Sequence, residues 1–240
     1  MPLPDVLAKL LTAAGPSGYE TAPAAVFTEA ASAFTDDVSV DVMGSAVARV
    51  PGTTAGAPFL AVVGHIDEIG LIVTHIDDNG FLRFVGVGGW DPQILVGQRI
   101  ELLTQNGSLP GVVGRKAIHL LREEDRKKVA ELRDLHIDIG AKNGDEAREL
   151  VRIGDVAVIA ALPQELLNDR VISRSMDNRL GAFIALEAAR IVAEAGGAPG
   201  DVAACGVVQE EITFGGARTS AYSLQPDVAI VVDVTHETGS

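Results

Sequence analysis

The chain is poor in several things that whole classes of protein need. One cysteine, Cys205, stands alone in 240 residues. It can build neither a disulfide framework nor a thiolate metal site, and its place in an apolar run reads as that of a small core residue. Aromatic residues make up only 4%, so the core is expected to be Ala, Val, Ile and Leu packed between helices and a sheet. Basic residues are outnumbered, 19 Lys and Arg against 33 Asp and Glu, for a net charge of −14. That balance argues against nucleic acid and against an anionic membrane surface, both of which need basic patches. No apolar stretch runs uninterrupted for long enough to span a bilayer. The start, Met1-Pro2-Leu3-Pro4-Asp5, lacks a basic segment followed by an apolar run, so a cytoplasmic protein is expected. A glycine-rich strand-to-helix turn, a Walker phosphate loop and a Gly-x-Ser-x-Gly elbow are all missing.

What remains is a globular composition, 47% hydrophobic and 22% charged, with a mean hydropathy of +0.25. The length suits one large domain or two small ones. Asp5 is placed to cap a helix through Leu11, Gly15-Pro16-Ser17-Gly18 is turn chemistry, and a second helix is expected over Thr21–Ala33. Ser39–Val42 and Ala46–Val50 read as a hairpin around Gly44. Phe59–Gly64 reads as a strand buried on both faces.

From Ile69 to about Ile159 the texture becomes one of short strands. Asp77-Asp78-Asn79-Gly80 is a hairpin signal between Leu71–His75 and Phe81–Val85, and Arg122–Leu132 reads as an exposed charged helix. After Pro163 the α/β pattern returns. A helix follows Asp177, with Leu180, Phe183, Ile184, Ala188, Ile191 and Val192 as its apolar face; Val202–Val208 and Val228–Val232 read as buried strands. The expected architecture is α/β: a three-layer domain with a mixed, largely parallel sheet from residues 1–68 and 165–240, and an inserted β-rich domain over 69–164.

Polar residues stand where the apolar runs stop: His65 and Asp67 after the first, Glu210 and Glu211 after Val202–Val208, Asp233 after Val228–Val232, and Asp177 at a helix start. In a parallel sheet these ends converge on one edge, where ligands bind. One imidazole and several carboxylates suit zinc, cobalt or manganese, and an acid beside the ligands can act as a general base. Each residue alone reads better as a hydrogen-bonded or solvated strand end or a helix cap, and only their shared position at the ends of apolar runs favours one joint site. Glu210 and Glu211 can serve one site only if the strand ends or bends at that pair, because strand neighbours point to opposite faces.

The ordered motifs Gly15-Pro16-Ser17-Gly18-Tyr19-Glu20, Gly64-His65-Ile66-Asp67-Glu68-Ile69-Gly70, Ser175-Met176-Asp177-Asn178-Arg179-Leu180-Gly181, Gln209-Glu210-Glu211 and Val232-Asp233-Val234-Thr235 resemble those of the dinuclear-zinc aminopeptidases of the glutamyl aminopeptidase type. Some of these carry a cellulase M or endoglucanase label, and some form tetrahedral particles. The resemblance implies a peptide substrate, release of its N-terminal residue, and two divalent ions, zinc or else cobalt or manganese. It implies that His65 and Asp233 bind one ion, Asp177 bridges, Glu211 binds the second, Glu210 is the general base and Asp67 orients His65. The β-rich insert would be a dimerisation domain in a homo-oligomer, a dodecamer built from dimers in the family.

The sequence departs from the family at Asn178, where aspartate is common, and at Thr213, where glycine is common. The family also takes a second metal-binding histidine from beyond the position of Ser240, and His236 lies too close to Asp233 to match it. The resemblance therefore implies either a fragment or truncated form, or an incomplete second metal site. A metal-binding or assembly module and a glucan hydrolase are the alternative readings.

Overall fold

The computed structural model describes residues 3–239. In chain order the elements begin with α1 (Asp5–Thr12), α2 (Thr21–Ala31), β1 (Asp37–Val40), β2 (Ala46–Val50), β3 (Leu60–His65), β4 (Gly70–Ile76) and β5 (Leu82–Val87). They continue with β6 (Arg99–Thr104), β7 (Gly107–Arg115), α3 (Glu123–Arg126), β8 (Leu135–Asp138), α4 (Gly144–Leu150), β9 (Val156–Ile159), β10 (Gln164–Leu166) and β11 (Arg170–Ile172). They end with α5 (Met176–Glu194), β12 (Val202–Val207), α6 (Glu210–Thr213), α7 (Gly215–Leu224) and β13 (Val228–Val231). The chain divides into two compact units: Met1–Glu68 with Leu162–Ser240, and Ile69–Ala161. Among the described residues no helix is long and apolar enough to cross a membrane.

The first unit is built on a five-stranded sheet in the order β1-β2-β12-β3-β13. β12 and β13 run parallel to β3, whereas β2 is antiparallel to both β1 and β12. The sheet is thus mixed in equal parts, because the β1–β2 hairpin adds two antiparallel pairings to an otherwise parallel core. Side chains alternate across it. Ala46, Ala48, Val62 and Ala204 face Leu10, Phe27 and Ala185 on α1, α2 and α5. Val47, Ala61, Cys205 and Val207 face the other way, with Ala217 and Leu224 of α7. Helix, sheet and helix make three layers.

Several expectations need correction here. Asp5 does not cap α1; Pro4 occupies the N-cap position and Asp5 lies in the first turn. Val228–Val231 is not buried but forms an exposed edge strand. On α5, Ile184 and Ile191 are 40% and 57% exposed, and the buried face is Gly181, Ala182, Ala185, Leu186 and Ala189. The reason is close approach. A Cβ on Gly64 of β3 would stand 2.3 Å from the backbone of Gly181 and Ala182. Only small residues fit at Gly181 and Ala182, where the helix lies this near the strand, so size as well as hydrophobicity shapes the buried stripe.

The second unit is a closed barrel in the order β4-β5-β8-β7-β6-β9. Its core is Leu71, Val73, Leu82, Ile100, Leu102, Leu135 and Ile137, all almost fully buried. Closure leaves no open edge. The expected helix over Arg122–Leu132 shrinks to the single turn of α3. Among its described residues only Ala130 is buried, with Leu132 part-buried against the core, and a charged segment with so little apolar face does not sustain a helix.

Candidate metal centre

The parallel pairings bring the ends of three strands to one edge. His65 closes β3 opposite Val207 of β12, and β13 runs in register with β3, with Val231 opposite Val63. The chain beyond β12 turns at once. Gln209 adopts a left-handed conformation (φ 58°, ψ 35°) and starts the one-turn helix α6. This is the bend that Glu210 and Glu211 require to face the same site. Asp177 does not cap a helix. It and Asn178 have non-helical backbone angles and are joined by a cis peptide bond, and the regular helix begins after them.

All six residues singled out in the sequence come together. His65 is 3% exposed, and its Nε2 lies 3.0 Å from Asp177 Oδ1 and 3.7 Å from Glu210 Oε2. Its Nδ1 lies 3.2 Å from the Asp67 carbonyl oxygen and 3.3 Å from Asp67 Oδ1. Two sets of potential ligand atoms share this histidine: His65, Glu210 and Asp233 in one, His65, Asp177 and Glu211 in the other, each with its atoms within 4.8 Å of one another.

Electrostatics shows what the cluster lacks. Burial pushes the Glu211 carboxyl up, repulsion from Asp177 adds to it, and the value reaches about 7. Burial also raises Glu210; the attraction of His65 works against it, and repulsion from Asp233, Asp67 and Asp177 works with it. Burial draws the His65 imidazole down, but its bonds to Asp177 and Asp67 prevail and push it up to about 10. Carboxylates that resist ionisation, around an imidazole that holds its proton, mark a site short of positive charge. Divalent cations meet that need, and the imidazole and carboxylate donors fit zinc, cobalt or manganese.

Asp67 is fully buried and does more than face His65. It accepts hydrogen bonds from Glu210 N (3.0 Å), Glu211 N (3.1 Å) and Ser17 Oγ (2.5 Å). Burial works to raise its carboxyl, yet the bonds from His65 and Ser17 prevail and hold it below the ordinary carboxylate range. Cys205 takes no part: it is buried in the sheet, and burial pushes its thiol up to about 12.

The supporting residues carried no individual signal in the sequence. Asn178, noted only as a departure, donates through Nδ2 to the carbonyl of Val232 (2.7 Å) and accepts from Gly181 N (2.9 Å). It ties the start of α5 to the residue before Asp233. Glu68, 1% exposed, receives Arg174 Nε (2.9 Å), Gly15 N (3.0 Å) and Arg179 Nη2 (3.5 Å). Arg179, fully buried, also donates to the carbonyls of Leu10 and Ala13. Only the strict order of the motifs pointed to these residues, since a buried ion pair between positions 68 and 179 has no local pattern.

A mixed three-layer α/β sheet with an imidazole–carboxylate cluster at its parallel strand ends defines a class of candidate metal-dependent hydrolases. The chain belongs to the M42 glutamyl aminopeptidase family, whose model matches residues 44–240. It is 34% identical over 234 residues to the lysyl aminopeptidase of Pyrococcus furiosus, covering 96% of this chain and 66% of that one. Among solved structures it is similar to the TET aminopeptidase of the marine sediment archaeon Thaumarchaeota archaeon SCGC AB-539-E09, with a TM-score of 0.94 and 36% identity over 98% of this chain and 67% of that one. It is also similar to the Pyrococcus horikoshii TET1 peptidase, described as able to assemble into a tetrahedron or a large octahedral shell, with a TM-score of 0.85 and 35% identity over 95% and 68% of the two chains. The chain thus spans about two thirds of the length of the relatives it matches.

Proposed function

We propose that the chain is the metal-binding part of an aminopeptidase that releases the N-terminal residue of a peptide. The observation that carries this reading is the pair of donor sets sharing His65, set in a chain of the glutamyl aminopeptidase family. Two divalent ions would be held here: His65 and Asp233 would serve one, Glu211 the other, and Asp177 both. Zinc, or cobalt or manganese in its place, would polarise the scissile carbonyl and make water a nucleophile near neutral pH.

The residues themselves position and move protons. Glu210, 3.7 Å from His65 Nε2, takes a proton from the attacking water and returns it to the leaving amine. Asp67 faces His65 Nδ1, which fixes the ring so that Nε2 points into the cluster, as the outer partner of a ligating histidine does. The barrel unit acts as a dimerisation module, and the assembling TET1 neighbour supports a homo-oligomer; its place in this reading is the cytoplasm.

Release of the chromophore from aminoacyl anilides tests the activity. It should require added metal, stop with a chelator, and fall about a hundred- to ten-thousand-fold in Glu210→Gln, the usual contribution of a general base. Metal-loaded protein that releases nothing would overturn the reading.

A further inference from the structure

The carboxylate of Glu20 lies outside both donor sets, yet it is 5% exposed and sits behind the turn that delivers two of their members. Its Oε1 accepts hydrogen bonds from Gly18 N at 2.7 Å and from Gln209 N at 3.0 Å, across 189 positions of sequence. The next two N–H groups, of Glu210 and Glu211, go to Asp67. Three successive backbone donors are therefore held by two buried carboxylates from two other parts of the chain. The same loop reaches both anchors, because Ser17 donates to Asp67 while Pro16 bridges to Glu68 in parallel fashion.

The held residue is one that would not take this shape unaided. Gln209 is left-handed, with φ 58° and ψ 35°, a region that disfavours residues with a Cβ. From it the chain turns directly into Glu210 and Glu211. A shift of this peptide would swing both side chains, since nothing regular lies between Val207 and Glu210 to absorb it.

We propose that Glu20 is a positioning residue for the metal centre: by holding the N–H of Gln209 it fixes the left-handed turn that aims Glu210 and Glu211. The inference rests on the reading of the cluster as a metal centre. Glutamine at position 20 keeps an acceptor oxygen of the same reach, whereas alanine removes it and aspartate withdraws it by one methylene. Glycine at position 209 would adopt the left-handed turn without help.

The test is zinc affinity by competition with a chromophoric chelator on the full chain, read beside kcat and KM. Glu20→Ala and Glu20→Asp should each weaken zinc binding by about ten- to a hundred-fold, the usual effect of losing an outer partner, and lower kcat more than KM. Glu20→Gln should stay within about threefold of the unaltered protein by the same measure. Gln209→Gly should recover most of the loss when added to Glu20→Ala or Glu20→Asp. Asp201→Ala removes an anchoring carboxylate near Gly52, away from the cluster, and should leave zinc affinity unchanged. If Glu20→Asp and Glu20→Ala bind zinc as the unaltered chain does, or if Asp201→Ala loses as much, the inference falls. If the unaltered chain binds no zinc, the reading of the cluster as a metal centre falls first.

Discussion

The two units bury different things. Among the described residues, every buried polar or charged side chain, from Ser17 and Glu20 through His65, Asp67 and Glu68 to Asn178, Arg179 and Ser220, belongs to the sheet unit. The barrel unit buries Leu, Ile, Val, Phe and Ala. Charge follows the same division: twelve of the nineteen Lys and Arg residues lie in the barrel unit, so the net charge of −14 resides mainly in the sheet unit. An apolar core needs only volume and shape. A core that contains ions needs each of them satisfied, and it repays that demand with a set of side chains held in fixed places. The core of the barrel answers to packing alone, and the sheet unit combines packing with a cluster of donors suited to cations.

Substitutions in the two units should therefore separate two readouts, zinc affinity and thermal stability. The largest effect is expected from His65→Ala, which removes the member common to both donor sets; zinc binding, followed by calorimetric titration, should be lost within the measurable range. Arg179→Met leaves Glu68 buried with one cation fewer and should lower stability by about 3–5 kcal/mol in denaturant unfolding. A smaller and purely structural effect should come from Leu102→Ala in the barrel, about 2–5 kcal/mol, with zinc affinity untouched. If that barrel variant weakened zinc binding as strongly as His65→Ala, the division between the units would fail. The smallest effect belongs to Ile184→Ser on the exposed face of α5, within about 0.5 kcal/mol.

That last variant also marks where the sequence was legible and where it was not. His65, Glu210, Glu211 and Asp233 are visible in the sequence as polar residues at the limits of apolar runs, and Asp177 as an acid at a helix start; the structure gathers them. The runs themselves became β3, β12 and β13. Burial was less legible. The apolar face assigned to α5 by hydrophobicity points partly to solvent, because Gly64 and the Ala stripe let helix and strand approach too closely for Ile. β13 reads as a buried strand but lies exposed at the edge of the sheet. The supporting contacts were the least visible. Glu20 to Gln209, Glu68 to Arg179 and Asn178 to Val232 join distant positions, and no local periodicity encodes such pairs.

The central claim is that His65 joins two sets of donors into one centre for divalent cations. Metal content after equilibrium with zinc and removal of excess, measured by elemental analysis on the unaltered chain and on Asp177→Ala, tests it most directly. The account predicts bound zinc in the first and a loss of it in the second, since Asp177 is one of the three donors in the set with His65 and Glu211. Unaltered protein without zinc, or Asp177→Ala with its zinc intact, would contradict it.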